Sequence, residues 1–76
     1  MQKLKFSKTR AEDSYGNRYA IVFAGDNPEP VYMMERMADT WHYYPWDRPS
    51  ELIECGSSLA DCRAAIRRNW AERQEK

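Results

Sequence analysis

Histidine occurs once in this chain of 76 residues, cysteine twice and glycine three times. Each scarcity removes a class of chemistry. Tetrahedral zinc sites draw on four ligands, usually grouped in pairs two to four residues apart. Cys55 and Cys62 have no such close spacing and His42 stands alone, so no metal centre is expected. A phosphate-cradling loop needs clustered glycines, and the stretch AGDNPEP contains one. No serine or cysteine falls in the pattern of a nucleophile elbow, and the loop carboxylates lack the spacing of cation ligands. His42 can be drawn beside Ser57, Ser58 or Cys55, but nothing in the spacing assigns them roles. The chain is therefore read as a non-enzyme, with no catalytic residue and no cofactor. A CxxC pair is absent as well. Cys62 reads as core, and Cys55 reaches it only if the preceding loop folds back.

Long apolar runs are also missing. Nothing approaches the ~18 residues of a membrane helix, and MQKLKFSKTR lacks the apolar centre of a signal peptide. A cytoplasmic protein with no membrane association is expected, its cysteines kept as thiols. Net charge is lacking too: 12 basic residues balance 12 acidic ones. Nucleic-acid binders usually carry a positive excess. The charge is segregated, however. Residues 1–10 are basic through Lys3, Lys5, Lys8 and Arg10, residues 11–56 are acidic, and residues 57–76 turn basic again.

What the chain does have is pattern. Aromatic residues make up 13% of it, and each large ring buries ~150–250 Å². That is enough to organise one small domain spanning residues 1–76. Lys3 to Arg10 alternates loosely, as a first strand with a solvated face does. Asp13 to Asn17 supplies turn chemistry. RYAIVFA, Arg18 to Ala24, is the clearest strand, with Tyr19, Ile21 and Phe23 on one face and Ala20, Val22 and Ala24 on the other. Its two apolar faces place it centrally. GDNPEP is a loop. Val31 to Trp41 has two readings. At helical period Val31, Met34, Met37 or Ala38, and Trp41 share a face. At period two the segment forms two strands turning at Ala38-Asp39-Thr40. The need of a central strand for partners on both edges favours strands. Asp47 to Gly56 reads as a long loop.

Ser58 followed by Asp61 makes a capping box. Beyond it Leu59, Cys62, Ile66 and Trp70 recur at helical spacing, with Ala65 beside them and Arg63, Arg67, Arg68 and Arg73 assigned to the opposite side. The tail from Arg73 to Lys76 reads as frayed. The expected fold is α+β: a small antiparallel sheet of three to four strands with one C-terminal helix packed on one face.

One helix covers one face of a sheet, so the aromatic stretch WHYYPWDRP gains functional meaning. In a strand, Trp41 and Tyr43 point to one side and His42, Tyr44 and Trp46 to the other. His42, Tyr44 and Trp46 then form a partner-binding patch, with Arg48 and Arg36 at its rim. A second candidate is the helix row Arg63, Arg67 and Arg68, joined by Lys3 and Lys5, as a nucleic-acid-binding set. The aromatic stretch could also stack on single-stranded nucleic acid, but Glu29, Glu35, Asp39, Asp47, Glu51 and Glu54 in the same middle segment would repel a phosphate backbone. The helix row has the plainer reading of a solvated face paired locally with Asp61 or Glu72.

In size, balanced charge and strands-then-helix order, the chain resembles the small proteins that phages and mobile elements encode to bind host machinery, anti-CRISPR proteins among them. The resemblance is one of type and rests on no diagnostic motif. It implies a binding module acting by steric occlusion. The expected partner is another protein, including one that itself binds nucleic acid through a basic groove. A homodimer is a further outcome, and a DNA- or RNA-binding regulator is the alternative.

Overall fold

The computed structural model of the chain describes residues 3–11, 14 and 16–74. Strands β1 (Leu4–Phe6), β2 (Arg10–Ala11), β3 (Arg18–Ala24), β4 (Pro30–Met37), β5 (Thr40–Pro45) and β6 (Ile53–Gly56) precede one helix, α1 (Leu59–Gln74). The strands form a single antiparallel sheet in the order β1-β3-β4-β5-β6, with β2 pairing β3 along the same edge as β1. The α+β class is as expected, but the strand count is larger than three to four. Both extra strands have physical causes. The first strand breaks at Ser7 to Thr9, where the Ser7 side-chain oxygen accepts from the Ile21 amide (2.8 Å). The expected loop from Asp47 to Gly56 ends in β6, a four-residue edge strand too short and too exposed to carry an apolar signature.

Period-two patterning governs Val31 to Trp41. Tyr32 and Met34 are fully buried, while Val31, Met33 and Glu35 are partly exposed. β4 and β5 close as a tight hairpin, Met37 facing Thr40 across Ala38 and Asp39. Ala38 sits at φ +56°, the left-handed region that costs a Cβ-bearing residue ~1–2 kcal/mol. Its amide is held by Asn17 Oδ1 (3.4 Å). Of the turn expected from Asp13 to Asn17, Asp13 and Tyr15 lie outside the described residues. Gly16 there has φ +89°.

One face of the sheet presents Ala20, Val22, Tyr32, Met34, Trp41 and Tyr43, and α1 meets it with Cys62 and Ile66; these eight form the core. Leu4, Phe6, Leu59, Ala65 and Trp70 pack around it. The helix starts where the cap places it: the Asp61 amide donates to Ser58 Oγ (3.4 Å), satisfying a donor that the helix leaves unpaired. At the other end, the Tyr32 hydroxyl donates to Asn69 Oδ1 and accepts from Arg73 Nη1 (3.4 Å). The Tyr32 ring lies edge-on to Tyr43 (5.8 Å) and Trp70 (6.4 Å). Arg73 and Gln74 are therefore helical rather than frayed, and Glu75 and Lys76 lie outside the described residues.

Candidate functional site

The register fixes which side chains share the face away from α1. Buried Val22, Tyr32 and Met34 alternate with Ile21, Met33 and Tyr44, which lie in one row across β3, β4 and β5. The neighbouring row runs Tyr19, Glu35, His42 and Glu54. Beyond the first row, Phe23 pairs with Lys5 at the β1 edge. All the apolar members are partly exposed, and α1, the one helix among the described residues, packs against the opposite side of β5 and β6. The result is an apolar band three strands wide, flanked by polar groups. Glu35 and Glu54 stand on either side of His42 across the strands. Tyr44 Oη donates to Glu35 Oε1 (2.8 Å), a diagonal cross-strand contact of the kind long side chains make. His42 Nδ1 is buried without a hydrogen-bond partner among the described residues.

Two members of the expected aromatic patch, His42 and Tyr44, thus share the open face. Trp46 lies just past β5, its amide donating to the Val31 carbonyl (3.0 Å), and it is 46% exposed. It borders a shallow pocket of about 230 Å³ walled by Glu29, Pro30, Val31 and Asp47, with Arg73 reaching in from the helix. Its neighbour Pro45 is buried and faces Tyr32 in the register, on the helix side. Arg36 does not join the patch. It pairs with Trp41 and Arg18 in the register, on the helix side of the sheet, and its guanidinium reaches Asp39 (3.5 Å). Arg48 sits in the β5–β6 loop against Glu51 (3.4 Å) and Asp47 (3.9 Å). Such exposed pairs are worth little individually.

The alternative basic set is divided by the sheet. Arg63 and Arg67 place their guanidiniums over the Phe6 ring, 5.5 and 4.8 Å from its centroid, on the helix side. Arg68 is exposed on the outer helix surface. Lys5 alternates with Phe6 and so lies on the other face, where its ammonium pairs with Asp26 (3.5 Å). Lys3, two residues away, shares that side of β1. The assignment of Arg63 and Arg73 to the solvent side of the helix is thereby corrected: both are partly buried against aromatic rings, Phe6 and Tyr32. Their guanidiniums lie against the ring faces, and Arg63 Nε is buried without a hydrogen-bond partner among the described residues.

Two other groupings bear on chemistry. No cluster of three or more metal-binding side chains occurs among the described residues. Cys55 and Cys62 do meet, with Sγ atoms 3.1 Å apart. Burial pushes both thiols up from their ordinary value, with Glu54 adding to the rise at Cys55 and the Cys62 hydrogen bond opposing it. Tyr43 is pushed up by burial first and by the neighbouring thiols and Tyr32 second.

The sequence pattern pointed to His42 and Tyr44 but passed over Ile21, Met33, Tyr19 and Phe23. The signal for these was present in β3, where bulky Tyr19, Ile21 and Phe23 alternate with small Ala20, Val22 and Ala24. The small set makes room for Tyr32, Tyr43 and Ile66 between sheet and helix, which leaves the bulky set outside. No helix among the described residues is long and apolar enough to cross a membrane. No protein-family model, curated protein or solved structure matches the chain.

Proposed function

We propose that this chain is a small, non-enzymatic protein-binding module that works by steric occlusion, docking another protein on the open face of its sheet. The row Ile21, Met33 and Tyr44 carries the reading. Partly exposed apolar and aromatic side chains in a contiguous band mark interaction surfaces, and tyrosine is enriched among residues that dominate binding energy. The surrounding groups suit the rim of such an interface: Lys5, Glu35, His42 and Glu54 on the face, Trp46 and Arg48 at its end. The carboxylates beside His42 favour a partner presenting basic side chains, including one whose basic groove otherwise holds nucleic acid. An inhibitor of host machinery of the phage or mobile-element type fits this size and surface. The nucleic-acid reading is weaker, because Lys3 and Lys5 are separated from the helix arginines by the thickness of the sheet.

The test uses paired variants. Met33→Glu places a charge in the centre of the band, and Tyr44→Ala removes its largest ring. Both should abolish capture of the cognate partner while preserving the circular dichroism spectrum. Arg68→Glu on the outer helix surface should leave capture intact. Capture that survives both face variants, or is lost only with Arg68→Glu, overturns the proposal.

A further inference from the structure

We infer that Cys55 and Cys62 form a redox-active pair, in which exchange with a low-molecular-weight disulfide closes an intramolecular disulfide that staples β6 to α1. Cys55 is the penultimate residue of β6, Cys62 lies in the first turn of α1, and Gly56, the last residue of β6, has φ +114°. That backbone conformation favours glycine, and it stands where β6 ends and the chain turns into α1. Their Sγ atoms are 3.1 Å apart, and a covalent S–S bond of about 2.05 Å lies only about an ångström of movement away. The environments differ in the way that exchange requires. Cys55 is partly exposed, whereas Cys62 is fully buried and touches the His42 carbonyl with its thiol (3.9 Å). A small disulfide can reach Cys55 but not Cys62.

The chemistry proceeds in two exchanges. The Cys55 thiol loses its proton to water, and its sulfur attacks one sulfur of the small disulfide RSSR. The RS–SR bond breaks, one RS⁻ leaves and takes up a proton, and Cys55 carries a mixed disulfide. Cys62 then loses its proton and attacks Cys55 Sγ. The bond from Cys55 to the small thiol breaks, and the second RS⁻ leaves and is protonated. Two protein thiols are oxidised, and one small disulfide is reduced to two thiols. Closing so short a loop constrains the unfolded chain. It also pins β6, whose Glu54 lies beside His42 on the open face; the inference itself stands whether or not that face binds a partner.

The test is incubation of the folded chain with glutathione disulfide, followed by intact mass and peptide mapping. The native chain is expected to lose two hydrogens, retain no glutathione and stay monomeric, with Cys55 linked to Cys62. Its melting temperature should rise by roughly 10 °C or more. Cys62→Ala should stop at a stable mixed disulfide on Cys55, and Cys55→Ala should remain unmodified while folded. Stable glutathione on Cys55 of the unsubstituted chain overturns the inference, as does failure of either thiol to react before unfolding, or a disulfide-linked dimer. The unsubstituted chain alone decides the matter if a variant fails to fold.

Discussion

Tyr32→Phe removes one oxygen atom from the centre of the fold, and its cost follows from what that oxygen touches. The Tyr32 side chain is fully buried. Its hydroxyl donates to Asn69 Oδ1 and accepts from Arg73 Nη1, joining β4 to the last turns of α1. The phenylalanine ring retains the edge contacts to Tyr43 and Trp70 and the Arg73 guanidinium 5.6 Å above it. Only the hydrogen bonds are lost. A net hydrogen bond contributes ~1 kcal/mol, and an orphaned partner adds to the loss when it stays buried. Asn69 is partly exposed and can turn to water, so the total should fall near 1–1.5 kcal/mol. In a chain of this size that corresponds to roughly 5–10 °C in melting temperature. Tyr32→Leu also removes the aromatic edges, each worth ~0.5–1.5 kcal/mol, and should be about 2 kcal/mol worse than Tyr32→Phe. Urea denaturation followed by tryptophan fluorescence measures both, since Trp41 and Trp70 border the same core. A double-mutant cycle with Asn69→Ala should show a coupling near 1 kcal/mol. A Tyr32→Phe variant as stable as the parent, or a coupling of zero, would refute the claim that this hydroxyl anchors the helix.

Two other perturbations have signs that the structure fixes. Ala38→Gly relieves the left-handed strain at φ +56° and should raise stability by about 0.5 kcal/mol, the difference between a ~1 kcal/mol steric penalty and the entropy of glycine; a decrease in the urea midpoint contradicts this. The reduced chain should lose stability in alkali. Burial raises Cys55 and Cys62 above 9.0 and Tyr43 above 10.0, with Glu54 on β6 and Tyr32 on β4 acting in the same direction. Folded values above unfolded ones mean that this stability is complete below pH 9 and declines as pH rises through the folded values. The urea midpoint should therefore fall above about pH 9. The double variant Cys55→Ala/Cys62→Ala should delay the fall to about pH 10, where Tyr43 alone acts. A midpoint unchanged up to pH 11 in the reduced parent contradicts the assignment.

Much of this architecture could be read from residue order. Ser58, Asp61 and the spacing of Leu59, Cys62, Ile66 and Trp70 specified α1, because capping and a 3.6-residue period are local properties. β3 announced itself through β-branched and aromatic alternation. The ambiguity of Val31 to Trp41 arose because its methionines suit both periods, and sheet pairing with β3 resolved it. β6 was illegible for a related reason: Ile53 to Gly56 gains its strand conformation from pairing with β5, not from its own composition. At the candidate site, alternation correctly separated His42 and Tyr44 from Trp41 and Tyr43. Arg36 was misplaced because its side depends on register with Trp41, which no short window contains. Arg63 and Arg73 looked solvated from spacing alone. Their stacking on Phe6 and Tyr32 follows from how α1 crosses the sheet, a tertiary fact.

The most direct test of the docking surface is site-specific photocrosslinking from the folded chain in cells that contain its partner. A photoreactive phenylalanine analogue is placed at position 33, 44 or 68 in separate variants. Positions 33 and 44 should each yield a discrete adduct with the same second protein, and position 68 should yield none. Adducts from position 68 alone, or adducts only between copies of this chain, would contradict the assignment of the open face to another protein.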